Sequence, residues 1–265
     1  MIYKQLLIVF CLLGTAMTAQ ASAGGEPCLR QFAVGLANYA PVAYREDGAL
    51  KGVAHDITRE LARRSGCVFS ETEYPRPAAV SKMRDGKLDL FLLSGSVLEF
   101  GDVGGFVPMY ETERSLTVLA SANGKHSSIQ DVLDDKNIKF GIMIGSRTSL
   151  TAEEYKKLID ENRTVGAPGP DELFRMLKSG RIQAIMFTSG TTKHYLRKYN
   201  LERLTRRFPD QKIQATVGYI YSKRRMSEKD RDLVAKTMQS IKDDGTLTKI
   251  LTSYNNPEDM QLRLK

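Results

Sequence analysis

Met83-Arg84-Asp85-Gly86-Lys87-Leu88-Asp89 and Leu177-Lys178-Ser179-Gly180-Arg181-Ile182-Gln183 are two copies of one pattern, 94 residues apart (177 − 83). Each holds the end of a helix, a glycine able to take the left-handed conformation that stops it, and the start of an apolar run. Ahead of the first copy, Pro77 stands in a favoured first-turn position, and Val80 and Met83 share a helical face. Ahead of the second, Pro170-Asp171 opens a helix carrying Leu173, Phe174 and Leu177 on one side. The runs that follow, Leu88 to Leu93 and Ile182 to Phe187, have the continuous apolar character of parallel strands covered on both faces. Helix, glycine, buried strand, twice over, predicts two similar α/β lobes.

Working outward, Phe32 to Leu36 reads as a first strand, followed by the loop Asn38-Tyr39-Ala40-Pro41 and a hairpin turn at Arg45-Glu46-Asp47-Gly48. A helix capped by Asp56, with Ile57 and Leu61 at helical spacing, is expected to end at Gly66. Ser115 to Ala120 and Ala215 to Ser222 are further apolar strands and candidates for links between the lobes. The tail opens on a capping-box pattern, Ser227-Glu228-Lys229-Asp230, runs through Leu233, Val234 and Met238, and closes with a helix over Thr246 to Tyr254. If that tail packs back on the first lobe, the chain crosses between lobes twice, which is hinge geometry. The expected organisation is lobe 1 over 24–118, lobe 2 over 119–216, and the return to lobe 1 over 217–265.

The first 23 residues read as a cleavable export signal: Lys4, the short apolar run Leu6 to Leu13, and the small-residue site Ala21-Ser22-Ala23. The run is well short of the ~20 residues of a spanning helix. Cys11 lies inside it, which argues against lipid attachment, so the mature chain is expected free in the periplasm. There Cys28 and Cys67 form an even pair in a compartment that permits a disulfide. They lack the spacing of a metal or redox site, and neither metal nor cofactor is expected.

Of 39 basic residues against 31 acidic, the leader removes Lys4, leaving 38 − 31 = +7. The clusters Arg203, Arg206, Arg207 and Lys223, Arg224, Arg225 suit a solvated face or a membrane-partner surface rather than nucleic acid, given export. His55, His126 and His194 are dispersed, and no G-x-S-x-G, H-E-x-x-H, Walker A or G-x-G-x-x-G motif occurs. A binding protein, not an enzyme, is the expected class.

Six pieces in order then carry a resemblance: Tyr39-Ala40-Pro41, Gly48 to Gly52 leading into Asp56-Ile57, Asp85 to Asp89, Phe106 to Tyr110, Gly141 to Thr148, and Asp244-Gly245-Thr246-Leu247. Together the chain resembles the bacterial extracellular solute-binding proteins of family 3, the type serving polar amino acid importers. The resemblance implies a type II periplasmic-binding fold with a ligand cleft between lobes, a small polar ligand, a monomer, and a permease or sensor protein at the inner membrane as partner. Carried over, Tyr39 packs on the ligand, Ser94, Gly95 and Ser96 bind it from the first lobe, and Ser146 and Thr148 from the second. Two departures follow. Gly101 stands where family members carry the arginine that grips an α-carboxylate, and Thr188 replaces the acid that meets an α-ammonium. Arg76, at the mouth of a helix, and Arg147, at an expected helix start, are candidates to bind an anion instead. Glu111, Glu113 and Arg114 are placed either to reach the cleft or to brace the hinge. A lyase similar to periplasmic cyclohexadienyl dehydratases uses the same scaffold but keeps the arginine that Gly101 replaces here.

Overall fold

The computed structural model describes residues 28, 30–95, 98–122, 124, 126–254 and 263–264, so the leader and Ser96 lie outside the described residues. The chain enters as β1 (Gln31–Ala37), makes a small hairpin of β2 (Tyr44–Glu46) and β3 (Ala49–Lys51), and continues through α1 (Val53–Ser65), β4 (Val68–Tyr74), α2 (Arg76–Arg84) and β5 (Leu90–Ser94). A long strand, β6 (Gly104–Leu119), leads to α3 (Ile129–Asp134), β7 (Phe140–Met143), α4 (Ala152–Asp160), β8 (Thr164–Ala167), α5 (Pro170–Lys178), β9 (Ala184–Thr188) and α6 (Ser189–Tyr199). A second long strand, β10 (Thr205–Ser222), brings the chain back to α7 (Glu228–Asp243) and α8 (Thr246–Tyr254), with β11 (Arg263–Leu264) beside β6.

One sheet, ordered β4-β1-β5-β10-β6-β9-β7-β8, runs through both lobes. Read inward from each edge, its halves match. β4-β1-β5 and β8-β7-β9 are parallel triplets, and each is closed by an antiparallel long strand, β10 on β5 and β6 on β9. The repeated sequence blocks are the equivalent α2–β5 and α5–β9 units, with Gly86 and Gly180 both left-handed at the junctions (φ 66 and 73). Parallel strands buried on both faces demand apolar runs, and β5 is buried along its whole length.

The links are much longer than the two apolar runs suggested, because β6 and β10 pair with each other from Gly104–Ser222 to Leu119–Thr205. Along β6, Met109 and Tyr110 belong to the core that holds Phe32, Ile57, Met83 and Ile241; Leu116 and Val118 belong to the one that holds Phe140, Leu158 and Met186. The changeover on β10 falls between Val217 and Phe208. Asp56 also proves to lie inside the first turn of α1, whose N-cap is Gly52. There the chain passes so close to Val42 that a Cβ on Gly52 would meet its carbonyl oxygen at 2.4 Å, with φ at +128. Tyr254 instead donates its hydroxyl to Asp56 Oδ2 at 2.8 Å, tying α8 to α1.

Two buried charge clusters fix these parts. Asp89, with no exposed surface, accepts from Ala33 N (2.8 Å), from Arg30 Nη2 (2.8 Å) and from Arg225 Nε (3.0 Å), and Arg30 also pairs with Asp230 on α7. Of the basic cluster Lys223, Arg224 and Arg225, all exposed, Arg225 thus also ties the tail to the buried Asp89. At the crossing, the buried Arg114 of β6 grips Glu154 of α4 with both terminal nitrogens (2.6 and 2.8 Å) and Asp210 of β10 through Nε and Nη2 (2.9 and 2.6 Å). Of the two roles open to Arg114, the structure shows both: it braces the crossing and also lines the cavity between the lobes. Burial raises the carboxyls of Glu154 and Asp210, but hydrogen bonds from Arg114 and from backbone N–H groups outweigh it and hold both below their ordinary values. Cys28 and Cys67 are bonded, 39 residues apart in sequence.

Arg114→Ala leaves two buried carboxylates unmatched and is expected to cost about 3–5 kcal/mol in urea unfolding at about pH 7. A carboxylate held low in the folded state contributes stability above its unfolded pKa and loses it as pH falls through the folded value. The penalty of Arg114→Ala should therefore shrink toward about pH 3, where the unpaired acids are protonated; an unchanged penalty would mean that packing, not charge, sets it. Replacing both cysteines by serine reopens a loop of about 40 residues and should lower stability by about 3–4 kcal/mol in the chain-entropy view.

Candidate functional site

A cavity of about 320 Å³ opens between the lobes at the carboxyl ends of β5 and β9 and along the middle of β6 and β10. Open α/β sheets place ligands at strand ends of this kind. Every described residue expected in the site lines it: Tyr39, Arg76, Ser94 and Gly95 from the first lobe, and Ser146, Arg147, Thr148 and Thr188 from the second.

On the first-lobe side, Pro75 caps α2 and Arg76 is its first helical residue, which aims the side chain at the end of β5. The guanidinium donates to Ser94 Oγ at 2.7 Å and lies over the Phe100 ring, 5.4 Å from its centroid. Phe100 precedes Gly101, so a guanidinium does stand beside this segment, delivered from a different helix. Gly101 itself is exposed, with φ 55 and ψ −131, and is not part of the cavity wall. Burial raises the Tyr39 hydroxyl against the downward pull of Arg76, and Tyr110 beside it is raised by burial and by Tyr39, so both stay neutral donors.

On the second-lobe side, Ser146, Arg147 and Thr148 form a loop rather than a helix start. The helix begins after Thr151, whose hydroxyl accepts from Glu154 N while Glu154 accepts from Thr151 N, a complete capping box. Thr148 N donates to Ser146 Oγ (3.0 Å), so that hydroxyl is partly spent within the loop. Thr188 caps α6 by backbone position and donates to Thr191 Oγ1 at 3.2 Å. Glu111 and Glu113 do not line the cavity; Glu113 accepts from Ser189 Oγ at 2.7 Å.

Reading the sequence missed the wall supplied by the crossing strands: Tyr110 and Thr112 from β6, Gln214 and Thr216 from β10. The β10 pair follows a bulge between Asp210 and Gln214, where Asp210 Oδ1 accepts from the N–H of Lys212 and Ile213 (2.9 and 3.0 Å). Bulges of this kind re-aim side chains beside sites. Gln214 Oε1 is buried with no hydrogen-bond partner among the described residues, an acceptor left for a ligand donor. Leu93 and Thr148, one in each lobe, both hold positive φ (57 and 55) at the cavity wall, a conformation that costs roughly 1–2 kcal/mol per residue.

Residues 33–257 match the family model of bacterial extracellular solute-binding proteins, family 3. The chain belongs to this family. Its relatives include the arginine-binding extracellular protein ArtP of Bacillus subtilis (strain 168), 25% identical over 261 residues that cover 92% of this chain and 94% of that protein. Among solved structures, an ancestral arginine-binding protein bound to arginine superposes with a TM-score of 0.70 at 20% identity, over 85% of this chain and 98% of the other. An amino acid ABC transporter substrate-binding protein, AbpA of Streptococcus pneumoniae, bound to L-arginine, does so at 0.68 and 21%, over 84% and 94%. At such identities the structural likeness establishes the two-lobed fold, and the family match makes the chain a solute-binding protein.

The two lobes touch in this structure. Ala40 N donates to Tyr195 Oη at 3.3 Å, the Tyr44 and His194 rings lie 5.8 Å apart, and a Cβ on Gly145 would come within 3.0 Å of Pro77. Tyr195→Phe removes a hydrogen bond made only when the lobes meet. It should move the balance of closed to open forms by about 2- to 10-fold, read as a larger mean radius of gyration in solution scattering; an unchanged radius would show that closure does not depend on this seam.

Proposed function

We propose that this protein is a periplasmic receptor that captures a small polar solute by closing its lobes and passes it to the permease of an ABC-type importer, doing no chemistry on it. The observation that carries this reading is the cavity walled by both lobes, with the Arg76 guanidinium on Ser94 inside it. A cavity of this size with a few convergent polar groups suits a metabolite-sized ligand. The moving bodies are lobe 1 (24–118 with 217–265) and lobe 2 (119–216), with the turning point of each crossing strand a few residues inside those limits. A ligand that touches both lobes binds the closed form better and shifts the population toward it. Tyr39, Ser94, Gly95 and Ser96 serve as the first-lobe contacts, Ser146, Thr148 and Thr188 as the second-lobe ones. The reading includes export by way of residues 1–23, a periplasmic location in keeping with the family's extracellular setting, and a monomeric state.

Arg76 is the anchor for an acidic group, in place of the arginine absent at position 101. Guanidinium supplies a two-pronged match to a carboxylate that no other side chain gives. Against the enzyme reading stands the family match, whose named relatives are binding proteins.

Thermal shift against amino acids, carboxylic acids, sugar acids, polyamines and short peptides tests this directly. A ligand at ~100 times its dissociation constant adds about 2.7 kcal/mol, a shift of several degrees. Arg76→Ala should weaken the best compound by about 10- to 100-fold; full affinity in that variant would remove the anchor, and turnover of the compound would replace the receptor by an enzyme.

A further inference from the structure

The seam where the lobes meet carries a histidine. His194, on α6 of the second lobe, faces Tyr44 of β2 in the first with the rings 5.8 Å apart, and stands edge-on to Tyr195 at 5.0 Å. Tyr195 is the residue whose hydroxyl receives Ala40 N across the same seam. A second cavity, of about 600 Å³, follows this line, walled by Tyr44, Arg45 and Glu46 on one side and by α6 on the other. Gly190 belongs both to its wall and to that of the ligand cavity, so the seam is an outer rim of the cleft. His194 is half-buried there, and its ring nitrogens hold no hydrogen bond among the described residues. The other two histidines pair within a single lobe, His55 with Glu71 and His126 with Asp135 (2.7 and 2.9 Å).

The charged and titratable groups around His194 come from four elements: Lys193, Arg197 and Lys198 on its own helix, Asp171 on α5, Arg45 and Glu46 on the first-lobe hairpin, and Tyr254 on α8. Asp171 already pairs with Lys198, Arg45 with Glu73 and Glu46 with Lys51, while Arg197 lies 3.6 Å from Glu202. Burial first, with Lys198 and Arg197 adding to it, holds the imidazole below the ordinary histidine value, and Asp171 opposes them. Asp171, Arg197 and Lys198 move with His194 in the second lobe, whereas Tyr44 leaves when the lobes part. The burial that the first lobe supplies is therefore present only in the closed form.

We propose that His194 makes lobe closure sensitive to pH: the closed form favours the neutral imidazole, so mild acid opens the cleft and loosens its hold on the solute. This inference rests on the receptor reading above and adds a control to it. An imidazole exposed to water in the open form titrates near ~6.5, and the closed form holds it lower, so closed protein binds fewer protons than open protein. Closure is then at full strength above the open-form value and is lost progressively as pH falls below it. The solute is held at neutral pH and let go in mild acid.

Two measurements on the whole protein test this. In an NMR titration, with the signal assigned by its loss in His194→Gln, the wild-type imidazole should titrate below about 6.5 and move back toward that value in Tyr195→Phe, which loosens the seam. In solution scattering, the balance of closed to open forms should fall by about 2- to 10-fold between about pH 7.5 and about pH 5.5, read as a larger mean radius of gyration. His194→Gln, which cannot take up the charge, should show no such change. A wild-type imidazole titrating at or above the ordinary value, a radius that ignores pH, or one that responds equally in His194→Gln, overturns the inference and leaves the receptor reading standing. The receptor reading fails separately, if no compound of the thermal-shift set stabilises the protein.

Discussion

A single guanidinium, that of Arg114, holds together the point where the chain passes from one lobe to the other. It sits on one crossing strand, reaches the other through Asp210, and reaches the second lobe through Glu154 at the start of α4. Both acids have further duties: Asp210 closes the β10 bulge and Glu154 completes a capping box. The interaction therefore fixes three local shapes at once, and the middle of the cavity wall is one of them. A buried cluster of this kind adds little net stability compared with an apolar substitute, but it specifies geometry, since any other register would strand a charge.

In the cleft, the proposed anchor Arg76 would supply the positive charge that the resemblance assigns to position 101. Glycine at position 101 brings no side chain of its own to the cavity, yet the Phe100 ring next to it lies under the Arg76 guanidinium. Across the cavity, Thr188 brings a hydroxyl. Strained backbone at Leu93 and Thr148 brackets the same space. Each lobe spends conformational energy at its edge of the cavity, as sites that must be pre-shaped for a ligand commonly do.

The repeat of helix, glycine and strand was legible because all three signals are local: a helical face, a residue free to take positive φ, and an apolar run. The crossing strands were only half legible. Glu111, Glu113, Arg114 and Pro108 break any strand pattern in β6, and what makes the segment a strand is its partner about a hundred residues away in sequence. The same distance hid the cavity wall at Gln214 and Thr216, since the bulge just ahead of them is closed by Asp210, whose other oxygen pairs with the distant Arg114. For Arg147, the true helix start was written four residues on, as Thr151-Ala152-Glu153-Glu154, a capping-box pattern that outranks the loop before it. The cavity-lining hydroxyls came from the family resemblance rather than from any pattern of their own.

Asp89 carries a different implication. It is wholly buried in the first lobe, yet Arg225 and the Asp230 that steadies Arg30 lie more than 130 residues downstream. As the chain is made from its N-terminus, the first lobe meets this carboxylate with Arg30 already present but with Arg225 and Asp230 still to come, whereas the core of the second lobe is written in one unbroken stretch. The lobe that begins the protein is the last to be finished, and a nascent chain lacking its tail holds Asp89 with one of its two arginine partners, in an incomplete sheet.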